Sequence, residues 1–127
     1  MPQLKYAELT DKIIGVFYSV YRELGFGFLE SVYKNAMVLA LREAGLNAEA
    51  ECAITVRFRG QQVGTFRCDL VVEKLVLLEL KTGDALDKSH EAQVINYLRS
   101  TDLEVGLLFN FGPQPSFRRL IFENNKK

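Results

Sequence analysis

Asp69, Glu79 and Lys81 are the residues of this chain whose types and spacing point most directly to chemistry. They stand in the run Asp69-Leu-Val-Val-Glu-Lys-Leu-Val-Leu-Leu-Glu79-Leu-Lys81. Val71, Val72, Leu75, Val76, Leu77, Leu78 and Leu80 make the rest of that run read as sheet buried on both faces. An ionised group there is costly unless it is paired or binds a cation. Two carboxylates and one ammonium are the ingredients of a divalent-metal hydrolytic site. The plain alternative is a strand hairpin carrying a Glu–Lys pair on a solvated face.

The connection between the two strands decides between these readings. A two-residue turn at Glu73-Lys74 sets Asp69 opposite Leu78, which leaves Asp69 and Glu79 on opposite faces. A three-residue connection centred on Lys74, or a bulge, sets Asp69 opposite Glu79 with Cβ atoms roughly 5 Å apart. Lys81, two residues on, then shares the face of Glu79. Metal chemistry requires the second register.

The elements that must position these groups follow from periodicity. Thr10 reads as the N-cap of an amphipathic helix to about residue 24, with Ile13, Phe17, Val20, Tyr21 and Leu24 on one stripe and Gly25 ending it. After the break Gly25-Phe-Gly27, a largely apolar helix covers about 29–44. Strands are expected at 53–59, 63–72 and 75–81, with Gly60-Gln-Gln as a turn. Asp84 or Asp87 caps a helix at about 88–100. A buried strand at 105–111, a turn at Gly112-Pro-Gln-Pro115, a short strand at 118–122 and a loose tail complete the chain. The order α-α-β-β-β-α-β-β is an α/β fold, a mixed sheet flanked by helices. A right-handed crossover makes the third and fourth strands parallel neighbours.

Two further segments carry polar groups beside apolar faces. On the helix after Lys81, His90, Gln93 and Tyr97 form one stripe while Val94, Ile95 and Leu98 form the core stripe. That pattern suits a cleft wall, although a boundary Gln and a half-buried Tyr are everyday residues and His90 is well placed to cap. Glu30 falls in the first turn of its helix, where the macrodipole alone favours a carboxylate. Tyr33, one turn on, shares its face and reads as a supporting residue or as core.

Composition narrows the classes. The 127 residues suit a single domain, with a core at about 9–122 and a flexible end at 123–127. Sixteen Lys and Arg balance sixteen Asp and Glu, which argues against holding nucleic acid by bulk positive charge. No apolar run has transmembrane length, and the polar N-terminal stretch lacks a leader-like core, so a cytoplasmic, non-membrane location is expected. Cys52 and Cys68 are expected to be reduced core thiols.

Taken together, Gly27-x-x-Glu30-x-x-Tyr33, Asp69, Glu79-x-Lys81 and Gln93-x-x-x-Tyr97 resemble the GxxExxY protein family of the PD-(D/E)XK nuclease superfamily. The similarity runs from about Leu9 to Phe122, and Gly106-Leu-Leu-Phe-Asn-Phe-Gly112 also looks typical. The resemblance implies a restriction-endonuclease-like core and a nuclease that hydrolyses DNA or RNA with Mg²⁺ or Mn²⁺. It implies Asp69 and Glu79 as metal ligands, Glu30 as the additional acid of the RecB-like branch, and Lys81 as the lysine that assists the attacking water or steadies the phosphate. Gln93 and Tyr97 match that branch's supporting motif, and His90 has no firm counterpart. Without metal the three acids repel, so raised carboxyl pKa values are expected. The rival readings are a non-catalytic binding module on the same fold and an accessory subunit of a larger nuclease complex; a homodimer is also left open.

Overall fold

The computed structural model describes residues 4–127; the first residues of the polar N-terminal stretch, 1–3, lie outside the described part. Helices α1 (Ala7–Leu24) and α2 (Glu30–Glu43) precede the strand meander β1 (Ala48–Phe58), β2 (Gln61–Val72) and β3 (Val76–Lys81). Helix α3 (Lys88–Arg99) crosses over to β4 (Val105–Phe111), and β5 (Pro115–Ile121) completes the sheet. The strands lie side by side in chain order, all antiparallel except the β3–β4 pair joined by the crossover. Both the element order and the parallel pair agree with the sequence reading.

Alternation along β3 and β4 divides the core into two halves. Leu78, Leu80, Leu107 and Phe109 face α1 and α2, where they meet Ile13, Phe17, Tyr33 and Met37. Leu77 and Leu108 face the other way, against Val94, Tyr97 and Leu98 of α3. The two central strands are thus covered on both sides, which explains their near-continuous apolar sequence. Glu79 and Asn110 are the buried polar exceptions on those strands.

Several local expectations are corrected. Thr10 does not cap: α1 starts at Ala7, and the Thr10 hydroxyl donates to the carbonyls of Tyr6 and Ala7 at 3.1 Å each. β1 begins at Ala48, ahead of the expected start, because Ala48 packs into the core between α2 and the sheet. The first hairpin turns at Arg59-Gly60, with φ of 52° and 77°, a two-residue turn of the kind that matches strand twist. Ile95 is half-buried and outside the core of α3; Tyr97 takes its place there, 8% exposed. β5 starts earlier than expected, at Pro115.

The tail expected to be loose instead forms a 3-10 turn at Asn124–Lys126. The Asn124 amide donates to the Glu104 carboxylate at 2.8 Å, and Lys127 Nζ donates to the carbonyls of Thr101 and Leu103. Cys52 and Cys68 are free thiols facing each other across β1 and β2, as register partners. Burial pushes the Cys68 thiol up to about 12. Among the described residues no helix is long and apolar enough to cross a membrane.

Candidate active site

The β2–β3 connection has the register that metal chemistry requires. Val72 pairs with Val76, so the loop is the three residues 73–75, and Leu75 N–H donates to the Val72 carbonyl at 2.9 Å. Glu73 and Lys74 adopt left-handed φ of 53° and 55° to make this turn. The Glu73 carboxylate in turn accepts from the Asn47 amide at 3.0 Å, which ties the turn to the start of β1. The pairing Leu70–Leu78 carries forward to Asp69 opposite Glu79.

At that point side chains take over from the backbone ladder. The Asp69 N–H donates to Glu79 Oε1 at 3.0 Å, and the Leu80 N–H donates to Asp69 Oδ2 at 2.8 Å. Each carboxylate therefore satisfies an amide of the opposite strand. A break in alternation on β2 makes this possible: Leu70 faces α1 and α2, yet Cys68 faces α3. Glu51, across on β1, breaks in step with φ 57°, and the pairing skips from Ala50–Leu70 to Cys52–Cys68. The outer half of the hairpin is thereby turned over α3.

Burial and charge set the electrostatics. Glu79 is only 4% exposed, and its pKa is pushed up to about 8, first by burial and then by the neighbouring Asp69 charge. The Asp69 N–H and the Lys81 ammonium oppose the rise. Lys81 is half-buried and follows Glu79 by two residues on the same face.

Glu30, in the first turn of α2, lies within electrostatic reach of Asp69 and Lys81. It is exposed at the mouth, and its pKa is raised, first by partial burial and then by Asp69, with Lys81, Lys34 and His90 pulling it back. The break before α2 aims it there. Gly25 and Gly27 take φ of 68° and 110°, which side chains resist. Tyr33 locks that break: its hydroxyl donates to the Gly25 carbonyl at 2.6 Å and accepts from Phe28 N–H at 3.3 Å. Tyr33 is fully buried against Phe111 and so anchors the start of α2, which carries Glu30, to the core.

Helix α3 supplies the wall. Asp87 is its N-cap, accepting from the amides of Ser89 and His90. His90 Nδ1 accepts from Asp87 N–H at 3.2 Å, so the histidine completes a reciprocal cap. Gln93 Nε2 donates to the Tyr97 hydroxyl at 3.2 Å. The Tyr97 pKa is raised, first by burial and then by the charge of Glu79, so the phenol lies within electrostatic reach of that carboxyl group.

Two neighbours escaped the sequence reading. Lys34 lies one turn after Glu30 and is close enough to Asp69 and Glu30 for both to favour its charged form, although it is hydrogen-bonded to Glu51. The i, i+4 spacing from Glu30 was the available signal. Asn110 is the register partner of Lys81 on β4. Its Nδ2 donates to the Gly83 carbonyl at 2.9 Å, while its Oδ1 is buried without a donor. A lone amide inside Val105–Phe111 was its signal.

The donor set suits a hard cation in part. Asp69 and Glu79 adjoin where burial of Glu79 makes two negative charges costly, and a bound cation would relieve that cost. Among the described residues, however, no three His, Cys, Asp or Glu side chains stand close enough together to form a ready ligand cluster. The expected trio of Asp69, Glu79 and Glu30 is therefore a close pair with a third acid at the mouth.

Comparison with known proteins agrees with this architecture. The model of the PD-(D/E)XK nuclease superfamily matches residues 7–120. No curated relative matches the chain. The crystal structure of SSO0001 is similar in fold, at a TM-score of 0.55 and 21% identity over 73% of this chain and 50% of that one. This chain thus spans about half the length of that protein, and the likeness concerns the fold alone. The five-stranded mixed sheet between helical layers is consistent with the restriction-endonuclease-like fold. With its strand order, its paired acids and a match over nearly its whole length, the chain belongs to the PD-(D/E)XK nuclease superfamily.

Proposed function

We propose that this domain is a divalent-metal-dependent nuclease of the GxxExxY kind, acting on phosphodiester bonds of DNA or RNA. The observation that carries the reading is the adjoining pair of buried Glu79 and half-buried Asp69, with Glu79 pushed up to about 8 and with Lys81 on its face. Asp69 and Glu79 would hold Mg²⁺ or Mn²⁺, joined by Glu30 from the mouth. Such an ion, when bound, supplies Lewis-acid polarisation of a phosphoryl oxygen. Lys81 orients the attacking water and offsets charge growing on the phosphate. Gln93 and Tyr97 position the substrate backbone or the lysine, and His90 and Tyr33 hold the two helix ends that frame the cleft.

The test uses purified protein with Mg²⁺ or Mn²⁺ on single- and double-stranded DNA and RNA. Cleavage that EDTA stops and Glu79→Gln removes is the expected result. Lys81→Ala should keep most Mn²⁺ binding and lose most turnover, because its role lies in the transition state. Equal background cleavage by wild type and Glu79→Gln on every substrate overturns the proposal.

One observation favours a second reading, a non-catalytic binding module. Both carboxylates already serve backbone amides, so the site is stable as a structural joint. Nucleic-acid binding unaffected by EDTA, with no cleavage, identifies that case. Cleavage that appears only when a partner subunit is added identifies an accessory subunit.

A further inference from the structure

We infer that the groove between the β1–β2 hairpin and α3 is a subsite for an unpaired base of a single-stranded nucleic acid, an inference that rests on the nuclease reading for the cleft it adjoins. The groove encloses about 720 Å³, within the range of small-ligand sites. Val56, Arg57 and Phe66 line it from the hairpin, and Gln93, Asn96 and Tyr97 from the helix.

Phe66 is 49% exposed, and its ring lies 6.0 Å from that of Tyr97 at a tilt of 39°. A half-open aromatic ring in a recess offers a stacking platform, and every base has a face to stack on it. Gln93 and Asn96 place amides beside the ring, suited to the donors and acceptors of a base edge.

Charge selects the occupant. Residues 52–68 contain Arg57, Arg59 and Arg67 and no Asp or Glu, in a chain whose net charge is zero. Arg57 lines the groove, Arg59 lies over the Phe58 ring at 4.9 Å near the hairpin tip, and Arg99 adds a cation from α3. Aromatic rings interleaved with arginines in a recess fit stacked bases with phosphates at the rim. A duplex cannot enter such a recess without unpairing a base. The groove also neighbours the carboxyl site, because Tyr97, which lines it, lies within electrostatic reach of Glu79, and Phe66 stands three residues before Asp69 on β2.

The experiment measures binding by fluorescence anisotropy in EDTA, where no metal-dependent cleavage intervenes. The probes are a short labelled oligo(dT), an abasic strand of the same length, and a duplex. Wild type should bind oligo(dT) more tightly than either of the others. Phe66→Ala should weaken oligo(dT) binding roughly tenfold and leave the abasic strand unchanged. Phe66→Leu, which keeps the apolar bulk, should show the same selective loss and guards against misfolding of the alanine variant. Arg57→Ala should weaken both strands and reduce the salt dependence by about one phosphate contact.

Binding of oligo(dT) and the abasic strand with equal affinity, or insensitivity to both Phe66 substitutions, overturns the subsite. Selective oligo(dT) binding in a protein that cleaves nothing leaves the subsite standing and defeats the nuclease reading. Cleavage unaffected by Phe66 does the reverse.

Discussion

Lys81 on β3 and Asn110 on β4 are direct partners in the parallel pair, and the amide of Asn110 reaches past the lysine to hold the Gly83 carbonyl at 2.9 Å. Gly112 presses on the same carbonyl, since a Cβ at that position would lie 2.2 Å from it. The loop leaving the lysine is thus gripped from β4. Asn110→Ala should cost about 0.5–1.5 kcal/mol by removing this part-buried hydrogen bond, because water can reach the exposed Gly83 in its place. Gly112→Ala should cost at least as much through overpacking against backbone, about 1–3 kcal/mol. Denaturant melts of the two variants check both values.

Asp69 should separate fold from chemistry by the choice of replacement. Asp69→Asn keeps an oxygen able to accept from the Leu80 amide, so stability should change little while Mn²⁺ affinity falls. Asp69→Ala strands that amide and should cost about 1–3 kcal/mol as well. Paired melting and Mn²⁺ titration of the two variants is the measurement; equal stability would mean that the side-chain bridge contributes nothing.

The pH dependence has a definite sign. Glu79 keeps its proton up to about 8 in the folded protein, against 4.5 ordinarily. Between those values the folded state binds more protons than the unfolded one, so this contribution to stability is whole below pH 4.5 and is lost as pH rises towards and through 8. Glu30, also raised, adds a contribution of the same sign. The wild-type Tm should therefore fall from about pH 5 to about pH 8 more steeply than that of Glu79→Gln. Mg²⁺ or Mn²⁺ should recover part of the loss at the alkaline end of that window.

The faces of α3 give a contrast in stability. Leu98 is fully buried between the helix and the sheet, whereas Gln93 stands on the cleft wall, bonded only to Tyr97. Leu98→Ala should cost roughly 2–5 kcal/mol and Gln93→Ala within about 0.5 kcal/mol. Chemical denaturation of both variants settles the assignment.

What the sequence disclosed, and what it hid, follows from the range of the interactions. Strands β3 and β4 were legible because burial on both faces leaves almost unbroken runs of Val, Leu and Phe. The alternative connections at Glu73-Lys74 were legible as alternatives, but the choice between them rests on the left-handed pair at Glu73 and Lys74 and on the distant Asn47. The early start of β1 was hidden because Glu49, Ala50 and Glu51 have little strand preference and Glu51 takes a left-handed turn of its own. Ile95 and Tyr97 exchanged places for a related reason. Periodicity marks a stripe but not which edge of it the sheet covers, and the hairpin that folds over Tyr97 is far away in sequence. Lys34 and Asn110 reach the site through pairings between elements, which no local window contains.

The unequal lengths of β2 and β3 have a consequence for how copies of this molecule meet. Strand pairing between them covers only residues 70–72 of β2, so among the described residues 61–68 have β1 on one side and no strand on the other. That leaves a row of main-chain donors and acceptors facing outward, a template on which another chain can add itself. A net charge of zero provides no general repulsion to prevent it. Protection has to be local. It comes from Arg67 on the open strand, from the irregularity at Val56/Arg57 that twists the hairpin, and from Gly64, which weakens strand order at its centre. What opposes strand addition along this stretch is therefore concentrated in a few residues of one hairpin.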